Sequence, residues 1–364
     1  MGTGPVLGSQ TQVALAANGE SWAAGMTGRT LATAHAFVAT SEALRRVEQK
    51  EENSEMVGQI HRRRATHLGN MVDGPITFQG DYNALPFLIA FGMGTAGTPT
   101  ETEAAARYTH RIQQHDSMIG VYATLGVNRN IDKTGSDGDE TAFVYQAAKA
   151  NGFVFTAEQG SVCKLTMPWL CRELTEDADP SAWTYRDNVN TGMQYMLLSQ
   201  AVLRINAASG GALGSGDVLD LPVRVEISYA PNLGSDIYDD EGALDEPVMR
   251  RPPETRISVT WSRINQTLRT LLVDAFTNTT ALKADLVFTG AALGAGTYAA
   301  TWSFPHIYVD SDLDFVSENA DLVGFPVEFH AQVATAAPTG MTGITNPVDL
   351  SVVNDVNADP LATS

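Results

Sequence analysis

The chain has 364 residues, 43% of them hydrophobic and only 18% charged, which supplies a sizeable core and excludes a disordered tail. Its formal charge of -19 argues against wrapping a polyanion, since that requires clustered Lys and Arg to displace counterions. With only Cys163 and Cys171, a disulfide-stapled secreted fold is disfavoured, and two buried thiols in a reducing cytosol are the simpler reading.

The opening "MGTGPVLGSQTQVALAANGE" lacks a basic segment followed by an apolar core, so no signal peptide is expected there. Short alternating or β-branched runs then recur between turn residues: "AHAFVAT", "GPITFQGDY", "MIGVYATLGV", "GFVFTAE", "AVLRINA", "PVRVEISYA", "TRISVTWS", "ADLVFTG", "TYAATWSFPHIYV" and "GFPVEFHAQVA". So many short strands predict a mainly β architecture, a sandwich or barrel. Helices are expected in "ALPFLIAFG", "TAFVYQAAKANG" and "INQTLRTLLVDAF", the last with Asn265 as its cap. The polar stretch "SEALRRVEQKEENSEMV" reads as a helix or an exposed loop. The segment "NPVDLSVVNDVNADPLATS" reads as a flexible or partner-bound tail, dispensable for folding beyond Thr335. No apolar run approaches the ~20 residues that span a bilayer.

Chemistry-bearing patterns are sparse. "GMGTAG", Gly92 to Gly97, matches a dinucleotide-binding turn but follows an apolar segment and runs into Pro99, so a helix stop is the better reading. The acidic loops "DKTGSDGDE", "IYDDEGALDE" and "VDSDLDF" lack the alternate oxygen ligands of a calcium loop. The histidines, His35, His61, His67, His110, His115, His306 and His330, never form an H-E-x-x-H pair. No nucleophile elbow or phosphate-binding lysine loop is present. The sequence therefore predicts no catalytic residues, no cofactor and no metal. Trp22, Trp169, Trp183, Trp261 and Trp302 are spread along the chain, mostly in apolar strands where core packing is expected.

The charge pattern suggests another role. Arg62, Arg63 and Arg64 follow closely on "EQKEENSE", so acidic and basic segments of neighbouring copies could face one another and register an assembly. On this basis Arg45, Arg46, Glu51, Glu52, Glu55 and Arg62 to Arg64 are candidate contacts between subunits. There is also an internal echo: "ITFQGDYNALPFLIAFG" and "ISVTWSRINQTLRTLLVDAF" are each a strand followed by a short helix that could cap a curved sheet.

Taken in order, "LGSQTQVALAANGESWAAG", the G-x-(I/V)-T-F-x-G-x-Y strand running into "LPFLIAFGMG", "RYTHRIQQHDSMIGVYATLG", "YQAAKANGFVFTAEQGSVCKLTM", "AVLRINAASGG", the second strand-helix unit, "YAATWSFPHIYVDSDL" and "PVEFHAQVA" resemble the tail tube (major tail) proteins of long-tailed, non-contractile bacteriophages. The resemblance runs over residues 10 to 335 and lies in the order of the motifs. It implies a non-enzymatic virion protein, made in the host cytoplasm, that stacks as rings into a hollow tube. Implied partners are other copies of itself and the tape-measure, tail-tip and tail-terminator proteins, with DNA passing down the lumen without specific binding and no membrane involved. The expected organisation is an N-terminal arm (1–34), two β-sandwich or barrel modules in tandem (35–200 and 201–335), each with a short flanking helix and long loops, and a C-terminal tail (336–364). Two modules per chain would make a trimeric ring with pseudo-sixfold symmetry; a single module with a decoration would make a hexamer. The rival expectations are a capsid or head-tail connector protein, and a carbohydrate-binding or hydrolytic β protein with a cleft of convergent carboxylates and aromatics.

Overall fold

The computed structural model describes residues 12–23, 26, 28–31, 36–52, 65–103, 106–132, 140–178, 193–235, 238, 242–310 and 325–362. The first half contains β1 (Gln12–Ala17), β2 (Ala36–Phe37), β3 (Ala39–Glu42), β4 (Arg45–Glu52), β5 (Ala65–Gln79), α1 (Leu85–Met93), β6 (Thr100–Glu103), β7 (Arg107–Gln113), β8 (Ala123–Asp132), β9 (Glu140–Ala150), β10 (Phe153–Glu158), β11 (Lys164–Cys171) and β12 (Leu174–Ala178). The second contains β13 (Ala201–Ala207), β14 (Arg224–Ala230), β15 (Glu254–Trp261), α2 (Gln266–Asn278), β16 (Leu282–Leu293), β17 (Gly296–Val309), β18 (Phe325–Ala331) and β19 (Asp349–Asn354). The fold is mainly β, and all of these strands join one antiparallel hydrogen-bonded network.

Alternation explains most of the strands. In β15, Thr255, Ile257, Val259 and Trp261 point inward while their neighbours face outward; β10 buries Phe153, Phe155 and Ala157 in the same way. The two helices obey local rules. Asn265 caps α2 by accepting from the Leu268 amide at 2.8 Å, and the helix buries only Leu268, Leu272 and Ala275. By contrast α1 has Pro86 in its first turn and is buried nearly all round. It stops at Gly94, whose φ of 82° puts it in the left-handed region and whose amide bonds the Ala90 carbonyl. The glycines of "GMGTAG" thus end a helix, where a dinucleotide turn would open one.

Four segments differ from the sequence expectation. "TAFVYQAAKANG", expected as a helix, is strand β9, and Ala142, Tyr145, Ala147, Ala148 and Ala150 are buried in it. It is paired with β8 along one edge and with β11 and β12 along the other, so its alanine-rich helical propensity is overridden by two ladders. "SEALRRVEQK" becomes β3 and β4, zipped onto β5. The segment expected as a loose tail carries β19, inserted between β17 and β7 with Val348, Leu350 and Val352 fully buried. Likewise the expected N-terminal arm contributes β1, which pairs with β8 over its whole length.

The two halves share a pairing order. In the first, the hydrogen-bonded neighbours run β1, β8, β9, β11, β5, β3. In the second they run β13, β16, β17, β18, β15, β14. Each helix follows the strand that occupies the same place, α1 after β5 and α2 after β15. Registers correspond as well: Ile76 lies opposite Met167 and Glu42, and Ile257 lies opposite Phe329 and Ile227. Outside this shared order lie β2, β4, β10 and β12, the β6–β7 pair between α1 and β8, and β19 near the end of the chain.

The halves are fused rather than strung together. Past Asn151 and Gly152, β10 pairs with β11 on one edge and with β14 on the other, carrying the sheet across. Gly152 is required at this bend: its φ is 87°, and a Cβ would sit 2.0 Å from the Tyr229 carbonyl oxygen. Trp302 of β17 packs against Phe153 and Phe155 with ring centroids 5.9 and 5.4 Å apart, and Phe155 meets Phe288 at 5.8 Å. One apolar cluster runs through both halves.

The seam at β19 carries a buried histidine. His110 on β7 is 1% exposed, and its Nε2 lies 3.0 Å from Asn354 Oδ1 and 2.9 Å from the Val356 carbonyl. Two acceptors there make Nε2 the donor, leaving the buried Nδ1 without a partner. Burial lowers the pKa of this imidazole below 6.5, against hydrogen bonds to Val356 and Asn354 that raise it. The native state therefore prefers neutral His110. Its contribution to stability is complete above the unfolded pKa and is lost as pH falls from about 6.5 through the folded pKa. Thermal melts between pH 7.5 and 5 should show this loss, and His110→Gln should flatten it; an unchanged pH slope in the variant would refute the assignment.

Candidate assembly surfaces

The expected contact residues fall into two groups. Arg45 and Arg46 lie exposed on β4, opposite Asp73 and Val72 of β5. The Arg45 guanidinium is 3.5 Å from the Asp73 carboxylate, an exposed pair worth at most about 1 kcal/mol. Glu51 and Glu52 end the same strand, opposite Thr66 and Ala65. Glu55, Arg62, Arg63 and Arg64 lie outside the described residues. The structure thus brings four of the eight together on one strand.

Among the described residues, β4 pairs only with β5, β6 only with β7, and β12 only with β9. Such edges are ready to pair with another chain unless charge, shortness or cover blunts them. The β3–β4 corner is held from the other side by Arg129 of β8, whose Nε and Nη2 reach the two Glu42 carboxylate oxygens at 3.0 and 2.8 Å, with Nη2 also donating to the Leu44 carbonyl at 3.0 Å. The Glu42 carboxylate raises the Arg129 pKa, and the guanidinium sits 4.8 Å from the centre of the Phe143 ring.

A second constellation was not legible in the sequence. The described part of the connection from β14 to β15 leaves its own half and lies over the first. Leu244 packs with Met71, Met118 and Leu170. Its carbonyl accepts from Trp22 Nε1 at 3.2 Å and from Arg172 Nη1 at 3.0 Å. Beside it, Glu246 Oε1 meets the Lys149 ammonium at 2.6 Å and the Gly120 amide at 2.7 Å. The Lys149 side chain is fully buried, and desolvation lowers its pKa while Glu246 opposes the shift. A lone lysine in an alanine run carried no signal for this contact.

Among the described residues, both thiols and three of the tryptophans are buried. Cys163 and Cys171 are free and buried; burial pushes the Cys163 thiol up to about 12 and the Cys171 thiol higher still, so neither is a nucleophile at neutral pH. Trp169, Trp261 and Trp302 are fully buried, while Trp183 lies outside the described residues. Asp81, which burial pushes upward, spends its carboxylate on the amides of Asn83, Ala84 and Gln194 at the entrance to α1. The interior space between the β13–β16–β17 and β14–β15–β18 faces is lined by Leu203, Ile205, Val225, Ile257, Phe304, Phe329 and similar side chains, with no polar group to orient a ligand. Among the described residues no three His, Cys, Asp or Glu side chains are grouped to hold a metal. Among the described residues no helix is long and apolar enough to cross a membrane.

No protein-family model matches this chain, and no curated protein is significantly similar to it. The chain is a mainly β protein whose two halves share a strand-pairing order within one hydrogen-bonded network.

Proposed function

We propose that the chain is a structural subunit that polymerises as stacked rings into the hollow tail tube of a long-tailed, non-contractile bacteriophage. The observation that carries this reading is the shared strand order of the two halves, each with its helix in the same place. On this reading they are tandem sandwich or barrel modules, and three chains close a ring of six modules. Strand edges such as β4, with Arg45, Arg46, Glu51 and Glu52, supply contacts between copies. The negative charge of the chain suits a lumen that repels the phosphate backbone, so DNA slides without sticking. The partners are further copies of the chain and the tape-measure, tail-tip and tail-terminator proteins, and the site of action is the virion.

Negative-stain electron microscopy of the concentrated protein tests this directly. Hollow tubes with threefold end views are expected. Sixfold end views would mean that each chain fills a single ring position, and closed shells or single short rings would favour a capsid or connector role. Monomers at every concentration would defeat the ring reading.

A further inference from the structure

The two halves share a strand order but not the same set of neighbours. In the second half β14 is paired along both edges, with Ile227 opposite Ile257 of β15 and opposite Phe155 of β10. Its counterpart in the first half is β3, which has Glu42 opposite Ile76 of β5 and, among the described residues, no strand on its other edge. The register therefore sets Glu42, Ala43, Leu44 and Arg45 in the places of Ile227, Ser228, Tyr229 and Ala230; Arg45 opposite Asp73 agrees with Ala230 opposite Glu254. Tyr229 lies opposite Phe153 of β10, whereas the Leu44 amide meets Glu42 Oε1 at 2.6 Å and the Leu44 carbonyl meets Arg129 Nη2 at 3.0 Å. Side chains thus fill one step of an edge that a strand fills in the other half. Beside it Ala43, Arg45 and Arg46 are exposed.

The chain also carries a counterpart of β10. Since Met167 of β11 matches Phe329 of β18, Thr166 matches Glu328. Val154 of β10 lies opposite Thr166; in the second half Val309 lies opposite Phe329, and the Asp310 amide then donates to the Glu328 carbonyl at 2.8 Å. Asp310 therefore stands where Val154 stands, and Val154 lies opposite Ser228 of β14. The pairing of β17 with β16 stops at Ile307, so no described strand lies on the other side of Asp310. The sequence continues as Ser311, Asp312, Leu313, Asp314 and Phe315, outside the described residues, with an acidic residue at every second position.

We propose that the strand entered at Asp310 pairs with the free edge of β3 in a second copy of the chain, Asp310 opposite Ala43, as β10 pairs with β14 within one chain. Charge favours this partner, because a run bearing Asp310, Asp312 and Asp314 meets a corner that presents Arg45, Arg46 and Arg129. On this register Asp310 is diagonal to Arg45 on the exposed face. The inference rests on the ring reading above and names the seam of that ring. Every copy offers one β3 edge and one such strand, so the interface is heterologous, and it closes when the rotation between copies matches that between the halves.

The test is disulfide trapping between copies. Ala43→Cys and Asp310→Cys are prepared as separate variants, mixed, assembled and oxidised. The proposed register makes the two positions a non-hydrogen-bonded antiparallel pair with Cα atoms about 4.5 Å apart, within disulfide reach. The native thiols are buried. Covalent dimers are expected on a non-reducing gel from the assembled mixture, and not from the same mixture oxidised in dilute solution. Ala43→Asp should weaken self-association in sedimentation by about tenfold, as like charges juxtaposed across an interface do, with melting of the dilute protein unchanged because Ala43 is exposed. Ala43→Lys should assemble as the wild type does. Rings from the mixed cysteine variants without the disulfide, or normal assembly of Ala43→Asp, would overturn this seam and leave the ring reading standing. Absence of any wild-type self-association would overturn both.

Discussion

Ending the chain at Thr335 is expected to abolish cooperative folding of the second half and to loosen α1. The deletion removes β19, which is hydrogen-bonded along both edges, to Ala299–Ser303 of β17 and to Tyr108–Gln113 of β7. Val348, Leu350 and Val352 are fully buried, and losing three such side chains forfeits roughly 5–9 kcal/mol, comparable with the whole stability of a domain. Polar partners are stranded too. Asp349 accepts from Arg111 Nε at 2.8 Å and from Gln113 Nε2 at 2.6 Å, Asn354 Nδ2 donates to the Tyr82 carbonyl at 3.1 Å, and His110 loses both acceptors. Calorimetry and near-ultraviolet circular dichroism of the 1–335 fragment should show a molten or aggregated product. A sharp transition within a few degrees of the intact chain would contradict the role given to β19.

The second large effect concerns Glu246. Replacing it with Ala leaves the fully buried Lys149 side chain with its carboxylate partner gone, and removing one partner of a buried pair costs about 3–5 kcal/mol. The Gly120 amide loses its acceptor as well. Replacing both members, as in Lys149→Met with Glu246→Leu, should restore most of the loss, because the desolvation cost of the pair disappears with it. The pH dependence has a definite sign. A lysine whose folded pKa lies below its unfolded value is favoured in its neutral form by the native state, so the deficit of Glu246→Ala should shrink as pH rises from 7 towards 10. Denaturant melts of the two single variants and the double variant measure this coupling; strictly additive losses would show that the contact does not fasten residues 231–253 to the first half.

What was legible in advance was local. The alternation of β10, β14, β15 and β17, the Asn265 cap, the stop at Gly94 and the strand-helix echo are each written within a few residues of one another. The candidate contacts were less legible. Arg45, Arg46, Glu51 and Glu52 were singled out by charge alone, and only pairing with β5 reveals that they share one strand. Lys149 and Glu246 were missed because they stand 97 positions apart and neither has a telling neighbour.

By itself, then, the amino-acid order determined which segments can be strands or helices, because period-two alternation, caps and left-handed glycines act over the span of a turn. The tertiary structure decided which of those preferences survive. The run "TAFVYQAAKANG" favours a helix in isolation but satisfies more backbone groups as β9 between two ladders. The segment 349–354 has no partner until β17 and β7 are both in place, and its ion pair with Arg111 closes a separation of 238 residues. Such contacts depend on chain closure and on burial supplied from afar, and no local window contains either.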